Sequence, residues 1–502
     1  MESQILQGIM NVMTPLPFSL LILGTFVGIV FGSIPGLTAA MGIVLFLPLT
    51  FRIDPTASIS LLIGIYTGGI SGGLVSACLL RMPGTPSSVA TTFDGYPMAN
   101  KGEPGRALGI GIYSSFLAGL VTTVALMFIA PSVARIALKF GNFEYFAIAV
   151  LALSIVVLLS KKSMIKGLLA TMIGLFFASV GGAPIDLMPR FTFGFDALLG
   201  GFDILPFLIG LFAISQIISD MGSNNELLIP DVPLVGVRMK LREYFKGDVR
   251  NFCESTFLGF IIGILPGIGG ATANIVAYGN AKSHSKHPEL FGTGYKSGLI
   301  ASESSNNATV AGALIPMLTM GIPGDAVTAV LIGALMIQGL QPGPLLFTAH
   351  AEFVYSTFTV LFFSNIVMFL MMLLAIRVFI KALSFPKVYL LPTIMIMCVI
   401  GSYAVNNVMF DVWALLAFGV MGSLMEKYDF PMTPTILGFV LAPLIETNIR
   451  EGLMSSSGSW APLFTRPLPC ICIILTFITL SWPLIMFLRE YFMAHRKTES
   501  TI

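Results

Sequence analysis

Charged residues along this chain are sparse and clustered, and the stretches between clusters are long and apolar. Uncharged runs long enough to cross a bilayer cover 57–80, 107–130, 167–185, 255–281, 326–349, 353–376, 388–410 and 467–488. Shorter runs at 145–160, 204–219, 412–425 and 430–445 cross only with help from their flanks. At ~20 residues per crossing the pattern predicts an all-α polytopic membrane protein with roughly 10 to 14 transmembrane or re-entrant helices. Composition agrees: of 502 residues, 55% are hydrophobic and 10% charged, and the mean hydropathy is +0.90.

Several of these runs are interrupted from within. The stretch GILPGIGGATAN (263–274) places a proline and four glycines inside the uncharged run 255–281. Pro-Gly pairs recur at Pro35-Gly36, Pro83-Gly84, Pro266-Gly267 and Pro323-Gly324. Non-helical backbone at membrane depth survives only where protein buries it or where it lines a watery cavity, because lipid cannot satisfy its N–H and C=O groups. A single Pro-Gly reads equally well as a kink. Four of them, in matching order, point to broken helices around a binding site.

The matching is internal. Gly32-x-x-Pro35-Gly36 answers Gly263-x-x-Pro266-Gly267, Pro83-Gly84 answers Pro323-Gly324, and GEPG at 102–105 answers LQPG at 340–343, at offsets of 231, 240 and 238 residues. A duplication explains the order. The polar stretch 220–254, with Arg238, Lys240, Arg242, Lys246 and Arg250, reads as a cytoplasmic linker. The expected division is 1–219, first membrane repeat; 220–254, linker; 255–446, second repeat; and 447–502, a loop, a final transmembrane helix and a cytoplasmic tail. Lys161, Lys162 and Lys166 mark one inside loop and Arg377, Lys381 and Lys387 another, at positions one loop out of register between the halves, so the repeats are expected to be inverted. Arg135 and Lys139 then lie outside, against the rule, whereas Arg489, Arg496 and Lys497 agree with an inside C-terminus.

Other classes are set aside. MESQILQGIM carries no Lys or Arg ahead of its apolar run, so a cleaved signal peptide is not expected. The five cysteines show no paired spacing, so neither a disulfide nor a metal site follows, and a net charge of +2 offers no nucleic-acid surface. No Gly-Lys dipeptide exists for a Walker A loop. Gly69-Ile70-Ser71-Gly72-Gly73 fits a serine-protease pattern, but His284, His287, His350 and His495 all lie outside or at the edges of the apolar runs, so Ser71 lacks a base and close helix packing is the better reading.

Chemistry is expected at the breaks. After Pro83-Gly84 come Thr85 at an N-cap position, Pro86 at the first helical position, then Ser87 and Ser88; Thr38 follows Pro35-Gly36, and Gly269, Thr272 and Asn274 follow Pro266-Gly267. Restarting helices of this kind offer free N–H groups to a substrate carboxylate, although each hydroxyl alone reads as a plain cap. Ser302-Glu303-Ser304-Ser305-Asn306-Asn307-Ala308-Thr309 and Pro323-Gly324-Asp325 instead supply carboxylate, amide and hydroxyl oxygens, suited to a coupling Na⁺ or to a proton on Glu303 or Asp325. Against this, Asp325 caps the next helix, and Asn306 and Asn307 serve helix packing.

These segments carry a family resemblance. YTGGISGGLVSACLLRMPGTPSSVATTFDGYPMANKGEPGRAL (66–108), GILPGIGGATANIVAYG (263–279) and SESSNNATVAGALIPMLTMGIPGDAVTAVLIGALMIQGLQPGPLLF (302–347) resemble the large membrane subunit of the tripartite tricarboxylate transporters. The resemblance implies a bacterial inner-membrane secondary transporter, not an enzyme and without a cofactor. It implies an ion gradient as the drive, a small membrane subunit and a periplasmic substrate-binding protein as partners, and an organic anion as substrate. The family's glycine-rich and Pro-Gly positions fall on Pro35, Gly36, Gly68, Gly69, Gly72, Pro83, Gly84, Pro266, Gly267, Asn306, Asn307, Pro323 and Gly324. Arg81 and Ser71 depart from the family pattern, where an asparagine and a tyrosine are common. The substrate is therefore read as a tricarboxylate or a related di- or aromatic carboxylate, with a passive anion channel as the alternative.

Overall fold

The computed structural model describes residues 2–158, 160, 163–221, 234–383 and 385–481. Lys161, Lys162, part of the linker and the charged tail, including His495, lie outside the described residues.

The elements in chain order are helices α1 (Glu2–Val12), α2 (Pro15–Ser33), α3 (Ala39–Phe46), α4 (Pro55–Leu80), α5 (Thr91–Asn100), α6 (Pro104–Ala137), α7 (Asn142–Leu158) and α8 (Met164–Ala178). A two-stranded antiparallel ribbon follows, β1 (Gly181–Gly182) with β2 (Pro189–Arg190). Then come α9 (Ile204–Ile209), α10 (Ser215–Asp220), α11 (Leu241–Phe245), α12 (Val249–Ile264), α13 (Gly269–His284), α14 (Lys296–Met320) and α15 (Ala326–Ile337). Later in the chain come α16 (Leu346–Ala349), α17 (Ala351–Ala382), α18 (Lys387–Asn406), α19 (Met409–Lys427), α20 (Met432–Ser455), α21 (Ala461–Thr465) and a shorter apolar helix, Pro467–Ser481.

Among the described residues seven helices are long and apolar enough to cross a membrane: α2, α4, α6, α17, most of α18, α19 and α20. That is fewer than the uncharged runs suggested, for physical reasons visible in the chain. The run 326–349 ends as helix at Ile337 because Gly339 turns left-handed (φ +75°) and Pro342-Gly343 follows. The run 255–281 is split between α12 and α13, as its Pro-Gly pair predicts. Although 25 residues long, α14 carries too many polar side chains for its composition to read as a span.

Packing divides the chain into two units, each assembled from separate stretches: Met1–Leu138 with Asp203–Leu424, and Lys139–Phe202 with Met425–Ile502. In the first unit α4 and α14 are buried along nearly their whole length. Small residues make this burial tight: a Cβ at Gly28 or Gly32 of α2 would strike the backbone of Ile65 or Gly69 on α4. On the other pair, a Cβ at Gly259 or Gly263 of α12 would strike the backbone of Ser305 or Thr309 on α14. These two contacts match residue for residue, at the offset of 231 for the glycines and 240 for their partners.

The second unit packs α8 on α20 through Gly174 against Thr435 and Gly438 against Thr171. Three of its acids face arginines. Arg190 on β2 holds Glu446 through both guanidinium nitrogens at 2.7 and 3.0 Å, Arg450 reaches Glu446 at 3.0 Å and Asp186 at 3.2 Å, and Arg466 reaches Glu144 at 3.2 Å.

Candidate substrate and ion site

All four breaks lie in the first unit, and they meet. A Cβ at Gly84 would strike the carbonyl of Gly32, joining the first break to the second. A Cβ at Gly324 would come 2.9 Å from the carbonyl of Gly263, and one at Gly269 3.2 Å from Asp325 Cβ, joining the third to the fourth. A Cβ at Gly270 would lie 2.8 Å from Ser87 Cβ and 3.1 Å from both Asn306 Oδ1 and Thr309 Oγ1. The second break thus faces the third across α14.

Locally each break follows from its residues. After Pro35, Gly36 adopts φ +96°, and the turn leads to Thr38, whose hydroxyl accepts the Met41 N–H at 3.2 Å as the cap of α3. Gly36 faces another helix's polar end: a Cβ there would be 3.2 Å from an Asp220 carboxylate oxygen and 3.3 Å from Gln216 Nε2. Thr85 and Ser88 form a reciprocal capping box around a single 3₁₀ turn, Pro86–Ser88, so the restart expected there is only three residues long before α5 begins. Thr85 Oγ1 and Ser87 Oγ share a hydrogen bond of 3.1 Å.

At the third break Gly267 and Gly269 both take positive φ, +72° and +64°, and α13 starts with no hydroxyl at its N-cap, which is Ile268. Thr272 lies half-buried in the first turns. Asn274 is fully committed elsewhere: its Oδ1 accepts Ala90 N–H at 2.6 Å and its Nδ2 donates to Ser302 O at 2.9 Å. It holds the chain ahead of α5 against α14. At the fourth break, after Pro323-Gly324, Asp325 caps α15, accepting Thr328 N–H at 2.8 Å and Thr328 Oγ1–H at 2.7 Å on Oδ1, while Tyr66 donates to Oδ2 at 2.5 Å.

The polar run of α14 divides by side chain. Asn307 accepts the Ser71 hydroxyl at 2.7 Å and donates to Glu303 O at 3.3 Å. Thr309 bonds back to Asn306 O at 2.6 Å. Glu303 is fully buried, with Thr91 Oγ1 at 2.5 Å and Ser115 Oγ at 2.9 Å on its two oxygens. Asn306, also fully buried, has no hydrogen-bond partner for either side-chain atom among the described residues. A buried amide left in that state costs about 1–3 kcal/mol, so it calls for a reason.

The residues that composition and spacing missed are Tyr66, Thr91, Ser115 and Asp94. Asp94 Oδ1 accepts the backbone N–H groups of Gly292, Gly294 and Tyr295 at 3.0, 2.8 and 2.7 Å, and its Oδ2 accepts the Tyr278 hydroxyl at 2.8 Å. A polar residue within an otherwise apolar helix was the available signal for Tyr66 and Ser115; α5, which carries Thr91 and Asp94, is of mixed character and offered none. The two departures from the family pattern are also placed: Ser71 bonds Asn307, with no histidine bonded to it, and Arg81 caps α4 in left-handed conformation (φ +58°) with its guanidinium 5.8 Å over the Tyr96 ring.

A family model described as "Tripartite tricarboxylate transporter TctA family" matches residues 18–437. The chain belongs to the TctA family. It is similar to an uncharacterized 52.8 kDa protein of the TAR-I ttuC′ 3′ region of Agrobacterium vitis, with 34% identity over 92% of each chain. A second protein of that organism, from the TAR-II ttuC′ 3′ region, is 34% identical over 44% of this chain and 94% of its own length. No solved structure matches. As a TctA-family protein the chain is a multi-pass membrane subunit of a transporter, not an enzyme, and the four converging breaks lie inside the family-matched region.

Proposed function

We propose that this chain is the translocation subunit of a bacterial inner-membrane, binding-protein-dependent importer of an organic carboxylate, driven by a Na⁺ or proton gradient. The observation that carries the reading is the stepwise contact of the four Pro-Gly breaks, first with second, second with third and third with fourth, with Asn306, a buried amide that has no hydrogen-bond partner among the described residues, beside Gly270 at the third. The left-handed turn at Gly267–Gly269 brings the N-terminus of the 16-residue α13 beside it, and backbone N–H groups at such an end favour a carboxylate. Asn306, Ser87, Gly269 and Gly270 form the substrate side in this reading. Glu303, Asn307, Thr309 and Asp325 form the ion side. Because Asp325 abuts Gly269 and Asp220 faces Gly36, an anion at either turn is favoured only when a cation or proton offsets the resident carboxylate, which ties the two fluxes together.

Two inverted repeats fit the packing. Besides the matched glycine contacts, α4 and α14 pass each other in opposite directions. Cys78, near the end of α4, and Leu299, near the start of α14, flank the same Gly95, whereas Tyr66, earlier in α4, bonds Asp325 beyond the end of α14. In the proposed mechanism the block carrying the breaks moves against a scaffold and exposes its site to each side in turn. The partners are a small membrane subunit and a periplasmic binding protein, which delivers the anion.

The test is uptake by proteoliposomes of labelled citrate, succinate and benzoate, as tri-, di- and aromatic carboxylate probes. The reading expects uptake of at least one probe only with both partners present and a gradient imposed. Uptake by this chain alone at the rate of the full system overturns the partner requirement. Uptake unchanged when both gradients are collapsed favours a passive channel, and transport of none of the three overturns the carboxylate reading.

A further inference from the structure

Of the three buried acids Asp94, Glu303 and Asp325, Glu303 alone neither caps a helix nor is fixed by backbone N–H groups. It projects from α14 among α4, α5 and α6, at 0% exposure, with two hydroxyls as its hydrogen-bond partners: Thr91 from α5 and Ser115 from α6. Among the described residues no lysine, arginine or histidine pairs with it. The titratable groups on the elements packed against it are Tyr66 and Cys78 on α4, Asp94 and Tyr96 on α5, Arg106, Tyr113 and Arg135 on α6, Cys253, Glu254 and Arg250 on α12, and Tyr278, Lys282 and His284 on α13; Tyr66 is bonded to Asp325. Asp94 and Tyr278 are bonded to each other and to the 292–295 turn. Glu254 is held by Arg250 at 2.6 Å. Cys78 is within electrostatic reach of Glu303, and a buried thiol supplies no compensating charge.

A permanently ionised carboxylate in such a place is expensive; a paired cation or a bound metal ion compensates its charge, and protonation removes it. The first is absent among the described residues. A metal cation gathers several oxygens around itself at roughly 2.3–2.6 Å, whereas here Thr91 and Ser115 bond the carboxylate oxygens directly, at 2.5 and 2.9 Å, so the oxygens are engaged with one another.

We infer that Glu303 is the proton carrier of this transporter: its carboxylate binds one proton when the site faces outside and gives it up when the site faces inside. In the protonated form the Glu303 O–H donates to one of the two hydroxyls; in the ionised form both hydroxyls donate to it. The hydroxyl that accepts turns its own proton away from the carboxyl; for Thr91, Ser302 Oγ lies 3.4 Å off to take it. The inference rests on the proposed carboxylate import and narrows its coupling ion to the proton at one named group.

The experiment uses the full three-component system in liposomes, with labelled citrate, succinate and benzoate as probes and a pH dye inside. Glu303→Gln is expected to lower accumulation driven by a pH gradient at least tenfold and to abolish probe-linked proton entry, while probe–probe exchange across the membrane persists. Thr91→Val removes a donor to the ionised form, which favours the protonated form, so the half-maximal pH of uptake should move upward. Glu303→Gln that still carries protons with the probe overturns the inference, as does wild-type uptake that follows Na⁺ and moves no protons. If Glu303→Gln fails to fold or loses exchange as well, Thr91→Val decides, and an unshifted pH profile overturns the inference. Failure of wild-type exchange for every probe would instead reject the carboxylate reading itself.

Discussion

Three acids of the second unit and three at the heart of the first are held in opposite ways. In the second, Glu144, Glu446 and Asp186 each face an arginine, and the Arg190–Glu446 pair is bidentate. In the heart of the first, Asp94, Glu303 and Asp325 are held by hydroxyls and backbone N–H groups, with no guanidinium or ammonium among the described residues paired to them. A guanidinium compensates a carboxylate permanently and fixes its geometry. Dipoles compensate only in part, and leave the balance to something that comes and goes. The difference separates a region suited to stay put from one whose charge state is suited to change during a cycle.

The most severe way to break that contrast is at Asp94, which has four donors. Asp94→Ala would leave a buried phenol without its acceptor, at roughly 1–3 kcal/mol, and three partly exposed backbone N–H groups at less than that each; a clear fall in folded protein is expected in fluorescence-detected size-exclusion profiles. Asp94→Asn, which keeps an acceptor oxygen, should recover part of the yield. Next in size, Tyr66→Phe removes the donor to Asp325 Oδ2 and is expected to raise the apparent substrate constant several-fold with normal expression. A smaller effect is expected in the second unit. Arg190→Ala leaves Glu446 with Arg450 and, the pair being partly exposed, should cost about 1–2 kcal/mol, seen as a lower melting temperature with uptake per folded molecule unchanged.

The smallest effect is one of pH. The Asp186 carboxyl is held below the usual carboxylate range, first by the Met188 N–H and then by Arg450. A depressed folded-state value means that its contribution is present above its unfolded value, near ~4, and is lost as the pH falls through the lower folded one. Melting curves of Asp186→Asn and wild type should therefore differ at neutral pH and converge below about pH 4.

What the sequence revealed and what it hid have separate physical causes. Pro266-Gly267, Thr85-Pro86 and Asp325 were legible because capping and helix breaking are local: a proline, a glycine or a short acceptor acts within four residues of itself. Side-chain partnerships were not. Thr91 and Glu303 are 212 residues apart and Tyr66 and Asp325 259 apart, and on helices buried all round, such as α4 and α14, hydrophobic periodicity marks no face. Asn274 looked like a substrate ligand by its position in α13, yet its amide is committed to Ala90 and Ser302. Asn306 and Asn307 are neighbours of one residue type, and only the fold shows that the second is satisfied and the first is not. The close approach of Gly32 and Gly263 to their partner helices falls on two of the repeated glycine landmarks, since matched packing needs matched small residues.

The most direct measurement is made at that unsatisfied amide. Asn306→Leu is close to isosteric and removes a buried donor and acceptor that have no partner among the described residues, so it should raise the melting temperature of the purified protein. If the converging breaks hold the substrate, the same variant should lose uptake of whichever of labelled citrate, succinate and benzoate the wild type transports, by a hundredfold or more per folded molecule. A more stable protein that no longer transports is the predicted result; Asn306→Leu with wild-type uptake per folded molecule would contradict the account and remove the breaks from the binding site.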